Sequence, residues 1–443
     1  MITTVNENEP ITIGCVGMTH LGLIHAVAFA AKGLNLICYD QDPQLVKRLQ
    51  THELPINEPQ LNELVHSCST RLEFTHDLHA LSRCAVVFIA YDVPTDDDGN
   101  SDFNIIDILI AEVAPQLSDS VCLVLLSQVS PGYTRLVKFA KHRLFYQVET
   151  LIFGRAVERA LYPERYIIGA HDPHLALPTA YWQLLSSFHC PILKMHYESA
   201  ELTKISINMF LVSAVTTTNT IAEICENIGA DWAEIAPALK LDKRIGQHAY
   251  LTPGLGLAGG NLERDLQTII KLGQLNATDL SVVKAWLNNS KYRRDWVWRC
   301  LQTQVLPQLH KPLIAILGLA HKPNTHSVKN SPSLALIHQL KNYQIRVHDP
   351  VVEGHFLTNV RQYKDSITTI EGVDVVIVMT PWPEYQNLSL EIVKRSMHGN
   401  TIIDPYRVLK KESAIDNISQ LNLNYFTLGE RSIQTKKKES AYA

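Results

Sequence analysis

The sequence predicts an α/β protein in three parts: an N-terminal Rossmann-type doubly wound sheet, a central connector of long helices, and a second, smaller, Rossmann-like α/β domain. Three observations carry this expectation. Near the N-terminus an apolar run enters a glycine turn and a helical pattern, and the next apolar run closes on an acid. The middle of the chain loses every strand signal. Strand character then returns at Pro312 and alternates with helix again.

Taken in order, Ile11–Val16 is the first apolar run, Gly17 the turn, Leu21–Ala31 the helix, and Asn35–Tyr39 a second strand that ends at Asp40. Strand, glycine turn, helix and strand with a terminal acid make up the βαβ dinucleotide unit. Ala85–Ala90 and Val121–Leu126 are further strands with helical patterns between them, which implies a parallel sheet ending near residue 195. From Glu198 to about Asn227 the chain reads as one long helix, more helix follows Trp232, Pro253–Gly260 is a glycine-rich break, and helix resumes to about Gln304. Leu313–Leu317, Ile345–His348, Asp374–Met379 and Thr401–Ile403 supply the later strands, with Ser333–Leu340 helical. The expected domains are 1–196, 197–305 and 306–432, with 433–443 a solvated, disordered tail containing KKKES.

Composition narrows the classes of function. A chain of 443 residues exceeds one ordinary core, and 46% hydrophobic with 19% charged residues is globular rather than disordered. A net charge of −4 gives no nucleic-acid footprint. The opening MITTVNENEP lacks a signal-peptide pattern, and no uncharged apolar run reaches the roughly 18–20 residues of a bilayer span, so a cytoplasmic protein without membrane insertion is expected. The eight cysteines are scattered singly, and the histidines form no HxxxH or HExxH group, so neither a metal site nor a disulfide framework is expected.

The phosphate-binding turn reads GMTHLG, with Gly17 and Gly22 in the outer positions of the dinucleotide fingerprint and Thr19 in the middle one. A side chain there is expected to crowd a pyrophosphate or move it outward. Asp40 stands where a carboxylate binds ribose hydroxyls and repels a 2′-phosphate, which favours NAD over NADP.

Several stretches, colinear over nearly the whole chain, resemble the nucleotide-sugar dehydrogenases of the UDP-glucose and GDP-mannose type. They are IGCVGMTHLGLIHAVAFAAKG, LPINEPQLNEL, DVPTDDDGNSD, AELTKISINMF, RIGQHAYLTPGLGLAGGNLERDL, LGLAHKPNTHSVKNSPSLALI, DVVIVMTPWPEY and IIDPYRVL. The resemblance implies two successive hydride transfers to NAD through a thiohemiacetal and a thioester on a cysteine. It places catalytic groups at Lys204, Asn208, Asp265 and Glu149. NAD contacts are implied for Gly17, Thr19, Leu21, Gly22, Asp40, Thr95, Gln128 and Lys329, and substrate contacts for Arg244, Gly256, Gly259 and Lys322. It further implies a homodimer and a role in polysaccharide or glycan precursor synthesis.

The departures are specific. The family's catalytic loop reads GGSCFPKD, whereas GGNLERD here is one residue shorter, so the nucleophile's position falls at Asn261 or Leu262. Neither forms a thioester. The family's active-site Thr is Gln128, its acidic pair after K-P-x-T is His326 and Ser327, and its Arg is Lys329. Three readings follow. One is an NAD-dependent oxidoreductase that oxidises a sugar CH–OH without a cysteine thioester. Another is a non-catalytic nucleotide-sugar-binding or regulatory relative. The third is an NAD-dependent dehydrogenase of another alcohol, such as a 3-hydroxy acid, against which the UDP-binding C-terminal pattern counts.

Overall fold

The computed structural model describes residues 11–96, 100–355, 357, 360–409 and 415–434. It divides into two compact units, Met1–Ile207 and Asn208–Ala443.

The first unit is built on an eight-stranded sheet of β1 (Thr12–Val16), β2 (Asn35–Tyr39), β3 (Leu72–Thr75), β4 (Val86–Ile89), β5 (Cys122–Leu125), β6 (Leu144–Gln147), β7 (Tyr166–Ala170) and β8 (Ile192–His196). Their order is β3-β2-β1-β4-β5-β6-β7-β8. The first six strands run in the doubly wound order whose switch point, between β1 and β4, is where such sheets take ligands. The sheet is not wholly parallel as the sequence suggested, because β7 runs antiparallel to β6, with Tyr146 opposite Gly169. A reversed strand beyond β6 leaves the switch point unchanged, and such additions to parallel sheets are common. The central strands are continuously buried Val, Ile, Leu, Phe and Cys because helices cover both faces, whereas β8 at the edge exposes Leu193 and Lys194.

Helix α1 (His20–Ala31) has every residue from Leu21 to Ala30 buried, so it lies inside the unit rather than on it. Such a helix can approach β1 closely only if it lacks a side chain at the contact. A Cβ at Gly22 would fall 1.8 Å from the Gly17 carbonyl oxygen and 2.8 Å from that of Ala90.

In the second unit come the rest of the long helix Tyr197–Ile228, then Trp232–Leu241, Asn261–Leu275 and Ser281–Arg294, and a second sheet. Its strands are β9 (Leu313–Leu317), β10 (Gln344–His348), β11 (Val360–Gln362), β12 (Val375–Val378), β13 (Thr401–Ile403) and β14 (Asn424–Phe426). All are parallel, in the order β11-β10-β9-β12-β13-β14, which repeats the order of the first six strands of the first sheet. Asp349, just past β10, accepts N–H donors from Leu319, Ala320, Val351 and Val352 and from the Trp382 indole, and so ties the turn after β9 to its own loop.

The helix Tyr197–Ile228 is long and apolar enough to cross a membrane by length and composition. Several of its buried polar side chains nonetheless bond inside the protein. Asn219 accepts the Gly254 N–H at 2.8 Å, and Thr216 donates to the Val212 carbonyl at 2.9 Å. Of the expected tail, 435–443 lies outside the described residues, and Ile433 pairs with Tyr425 in an antiparallel bridge.

Candidate active site

In the first unit the turn after β1 is formed by Gly17 at φ +92°, a left-handed conformation that glycine adopts without strain. Its N–H donates to the Tyr39 carbonyl at 2.9 Å, so the turn is tied to the end of β2. Asp40 follows directly and is only 8% exposed. One of its carboxylate oxygens accepts the Met18 N–H at 2.6 Å and the other the Asp42 N–H at 3.0 Å. Asp40 thus holds its orientation at the C-terminal end of the sheet.

Thr19 is the N-cap of α1, yet its hydroxyl makes no capping bond. It accepts instead the N–H of Asp92 at 3.0 Å, in the loop after β4. The Asp92 carboxylate in return accepts the Leu21 N–H at 3.0 Å in the first turn of α1. Of the other residues expected near a cofactor, Gln128 is half-buried just past β5. Thr95 pairs with Ser101 in the loop after β4.

Beyond the turn, Glu149 and Lys204 form an ion pair of 2.7 Å with side chains 15% and 13% exposed. Glu149 also accepts the Leu151 N–H at 2.8 Å. Burial pushes its carboxyl up, but the charge and hydrogen bond of Lys204, with the Leu151 N–H and His25, prevail and hold it below the ordinary value. His25 is buried in α1, and its Nδ1 donates to the Leu21 carbonyl at 3.0 Å. Burial lowers its pKa from the ordinary histidine value.

In the second unit Asn208 donates through Nδ2 to Asp265 at 2.5 Å, and Arg264 Nε lies 3.2 Å from the other oxygen of that carboxylate. Asp265 is 1% exposed. A buried carboxylate with both oxygens engaged orients its partners, so the ion pair with Arg264 and the bond to Asn208 coexist rather than compete. The loop before it is shaped by close approaches. A Cβ at Gly256 would sit 2.4 Å from the Ser290 carbonyl oxygen, and one at Gly259 would sit 2.8 Å from His321 Nε2. The Gly259 N–H donates to the Lys329 carbonyl at 3.1 Å. Asn261 opens the helix Asn261–Leu275 and is exposed, with Leu262 half-buried behind it.

Arg244 is 89% exposed and forks onto the Asp242 carboxylate. Lys322 and Lys329 are half-buried in and after the turn that follows β9. No cysteine stands in the glycine loop. Cys15, Cys38, Cys84 and Cys122 lie buried in or beside the first sheet, where burial holds them as thiols, Cys84 pushed up to about 12 and Cys122 to about 11.

Two groups escaped the sequence reading of the site. Glu58, from the LPINEPQLNEL stretch, is 5% exposed, binds His20 Nε2 at 2.9 Å and accepts the Gly154 N–H. The proline-flanked acid was a signal, but its partners lie far along the chain. Asp92 opens the DVPTDDDGNSD stretch, but nothing in that stretch names its partners in the turn after β1.

Three sequence patterns of one family match the chain. They are the UDP-glucose/GDP-mannose dehydrogenase family NAD binding domain over residues 11–188, its central domain over 198–291 and its UDP binding domain over 315–411. Among curated proteins, the chain is 27% identical over 448 residues to UDP-glucose 6-dehydrogenase TuaD of Bacillus subtilis, with 97% of this chain and 95% of that protein covered. Among solved structures, a UDP-glucose dehydrogenase from Pyrobaculum islandicum is 28% identical, with a TM-score of 0.79 over 92% of this chain and 97% of that one. A UDP-D-ManNAc dehydrogenase from Pyrococcus horikoshii is 22% identical, with a TM-score of 0.80 over 95% of this chain and 99% of its own, and shares the fold.

Proposed function

The chain belongs to the UDP-glucose/GDP-mannose dehydrogenase family, and on that premise we propose that it oxidises one CH–OH group of a UDP-sugar with NAD, without a covalent intermediate. The observation that carries the single oxidation is the glycine loop itself. Asn261 and Leu262 stand where the family's nucleophile is expected, while the groups suited to activating an alcohol are in place.

The residues present fit NAD. Gly17 and Gly22 let backbone and helix approach, the first turn of α1 carries N–H groups that suit a diphosphate once Asp92 releases the Leu21 N–H, and Asp40 stands at the end of β2, where such units bind a ribose. Bound there, NAD supplies the hydride acceptor. The chain's own residues do the rest. Glu149 holds the Lys204 ammonium in place, and that cation stabilises negative charge developing on the sugar oxygen. Asp265 fixes the orientation of the Asn208 amide as a hydrogen-bonding group. The hydroxyl proton passes through water to Glu149, which Lys204 keeps ionised. The carbon loses a hydride and the oxygen a proton, so the product is a carbonyl compound. Going on to the acid would require a hydrate or another adduct at that carbon, and the loop has no thiol to hold a covalent one.

This reading places the protein in the cytoplasm, as a homodimer, in glycan precursor synthesis. Arg244 supports the dimer, since its guanidinium stands at the surface on the Asp242 carboxylate, in a stretch that resembles the family's substrate contact across the dimer. The test is incubation with NAD and a panel of UDP- and GDP-sugars, followed by mass measurement of each sugar product. Loss of two hydrogens is the expected result. An acid would show that the loop completes the second oxidation without a thiol, and an unchanged panel would refute the activity.

A further inference from the structure

The seat for the cofactor's diphosphate already holds an anion. In the usual dinucleotide unit the first turn of the helix after β1 presents free backbone N–H groups to the pyrophosphate. Here the Asp92 carboxylate accepts the Leu21 N–H at 3.0 Å, and Asp92 donates its own N–H to the Thr19 hydroxyl at 3.0 Å. Thr19 occupies the middle position of the fingerprint, where a glycine would offer no acceptor. The two bonds are reciprocal. They join the turn after β1 to the loop after β4, the strands that flank the switch point.

We propose that Thr19 and Asp92 form an intramolecular latch over the diphosphate seat, which cofactor binding must open. The inference rests on the reading that the first unit binds NAD. Three features favour a latch over a fixed cap. Asp92 is exposed, so its side chain can swing into solvent without disturbing the core. No acidic residue of α1 itself lies in its first turn, so Asp92 supplies the negative charge that the helix end favours. A diphosphate cannot share the Leu21 N–H with a carboxylate at hydrogen-bond distance, because two anions would then meet in one pocket. The latch thus sets cofactor affinity. It weakens every ligand that carries a diphosphate and leaves ligands without one unaffected.

The experiment titrates the full-length wild type, Asp92→Ala, Asp92→Asn and Thr19→Gly with NAD, ADP-ribose and adenosine by calorimetry, alongside thermal unfolding without ligand. Asp92→Ala is expected to bind NAD and ADP-ribose about tenfold more tightly and adenosine unchanged, since displacing a helix-capping side chain costs about that factor. The same variant should unfold at a lower temperature without ligand, because it has lost a cap. A structural defect alone would weaken NAD binding together with stability. Asp92→Asn should fall between the two, and Thr19→Gly should shift in the direction of Asp92→Ala. NAD affinity equal to or weaker than wild type in Asp92→Ala, with wild type binding NAD, overturns the latch while leaving the cofactor reading intact. Failure of all four proteins to bind NAD or ADP-ribose overturns both.

Discussion

The Glu149–Lys204 pair can be tested apart from any question of substrate identity. Each side chain keeps a little solvent, 15% and 13%, and the two atoms lie 2.7 Å apart. Glu149→Gln strands an ammonium and Lys204→Met strands a carboxylate, and isolating one member of a mostly buried pair costs about 3 kcal/mol, the low end of the range for buried pairs. In a unit of this size each kcal/mol moves the midpoint by about 2–4 °C, so each single variant should lose roughly 6–12 °C. The double variant leaves neither charge alone and should be more stable than the sum of the two losses implies, by about 2 kcal/mol. Stability should also depend on pH. The folded carboxyl of Glu149 lies below its unfolded value of about 4.3, so its contribution is present above that pH and is lost as the pH falls through the folded value. That loss should vanish in Glu149→Gln. Single-variant losses that add to within about 0.5 kcal/mol would show that the pair is not coupled. If, in addition, Lys204→Met turned over at the wild-type rate, the electrostatic role assigned to the ammonium would fail, because loss of such a group costs about 10²–10³ in kcat.

Other outcomes follow from the same geometry. Gly22→Ala puts a methyl 1.8 Å from a backbone oxygen that no rotamer change can move, so the midpoint should drop and NAD affinity fall at least about tenfold; a normal melt with normal binding would refute the close approach. Asp40→Asn removes the charge proposed to select the ribose, and the NADP-to-NAD ratio of kcat/KM should rise by about tenfold or more, whereas an unchanged ratio would remove Asp40 from cofactor selection. Asn261→Cys places a thiol in the first turn of a 15-residue helix, where the helix end favours the thiolate. Mass measurement should then show a sugar acid, and an aldehyde product with the thiol unmodified would mean that the nucleophile's position lies elsewhere.

Much of the fold was legible in the chain because its determinants are local. Asn35–Tyr39 and Thr401–Ile403 are read residue for residue, each a single polar residue leading into an apolar run. The helix Tyr197–Ile228 differs from its expected span by a residue at either end, since its pattern repeats over many turns. What escaped was short or relational. β3 has four residues with Glu73 exposed, and β11 and β14 have three each, too few to show a period. The direction of β7 depends on how the chain returns after β6, which no residue type encodes. The site divides in the same way. Glycines and acids at turns announce themselves, whereas the bond from Asp92 to Leu21 spans 71 positions and that from Gly154 to Glu58 spans 96. Position in the sequence also could not say that Asp265 is buried with one oxygen on the Asn208 amide and the other beside Arg264.

The two sheets place an acid at equivalent strand ends, but their acceptor capacity differs. An ionised carboxylate has about four lone-pair sites. Asp349 receives four backbone N–H groups and an indole N–H, so its capacity is saturated by its own loops. Asp40 receives N–H groups from Met18 and Asp42, which leaves room for about two ribose hydroxyls. A shared strand order therefore does not make two equivalent dinucleotide seats, and a calorimetric titration should reach a stoichiometry of one NAD per chain.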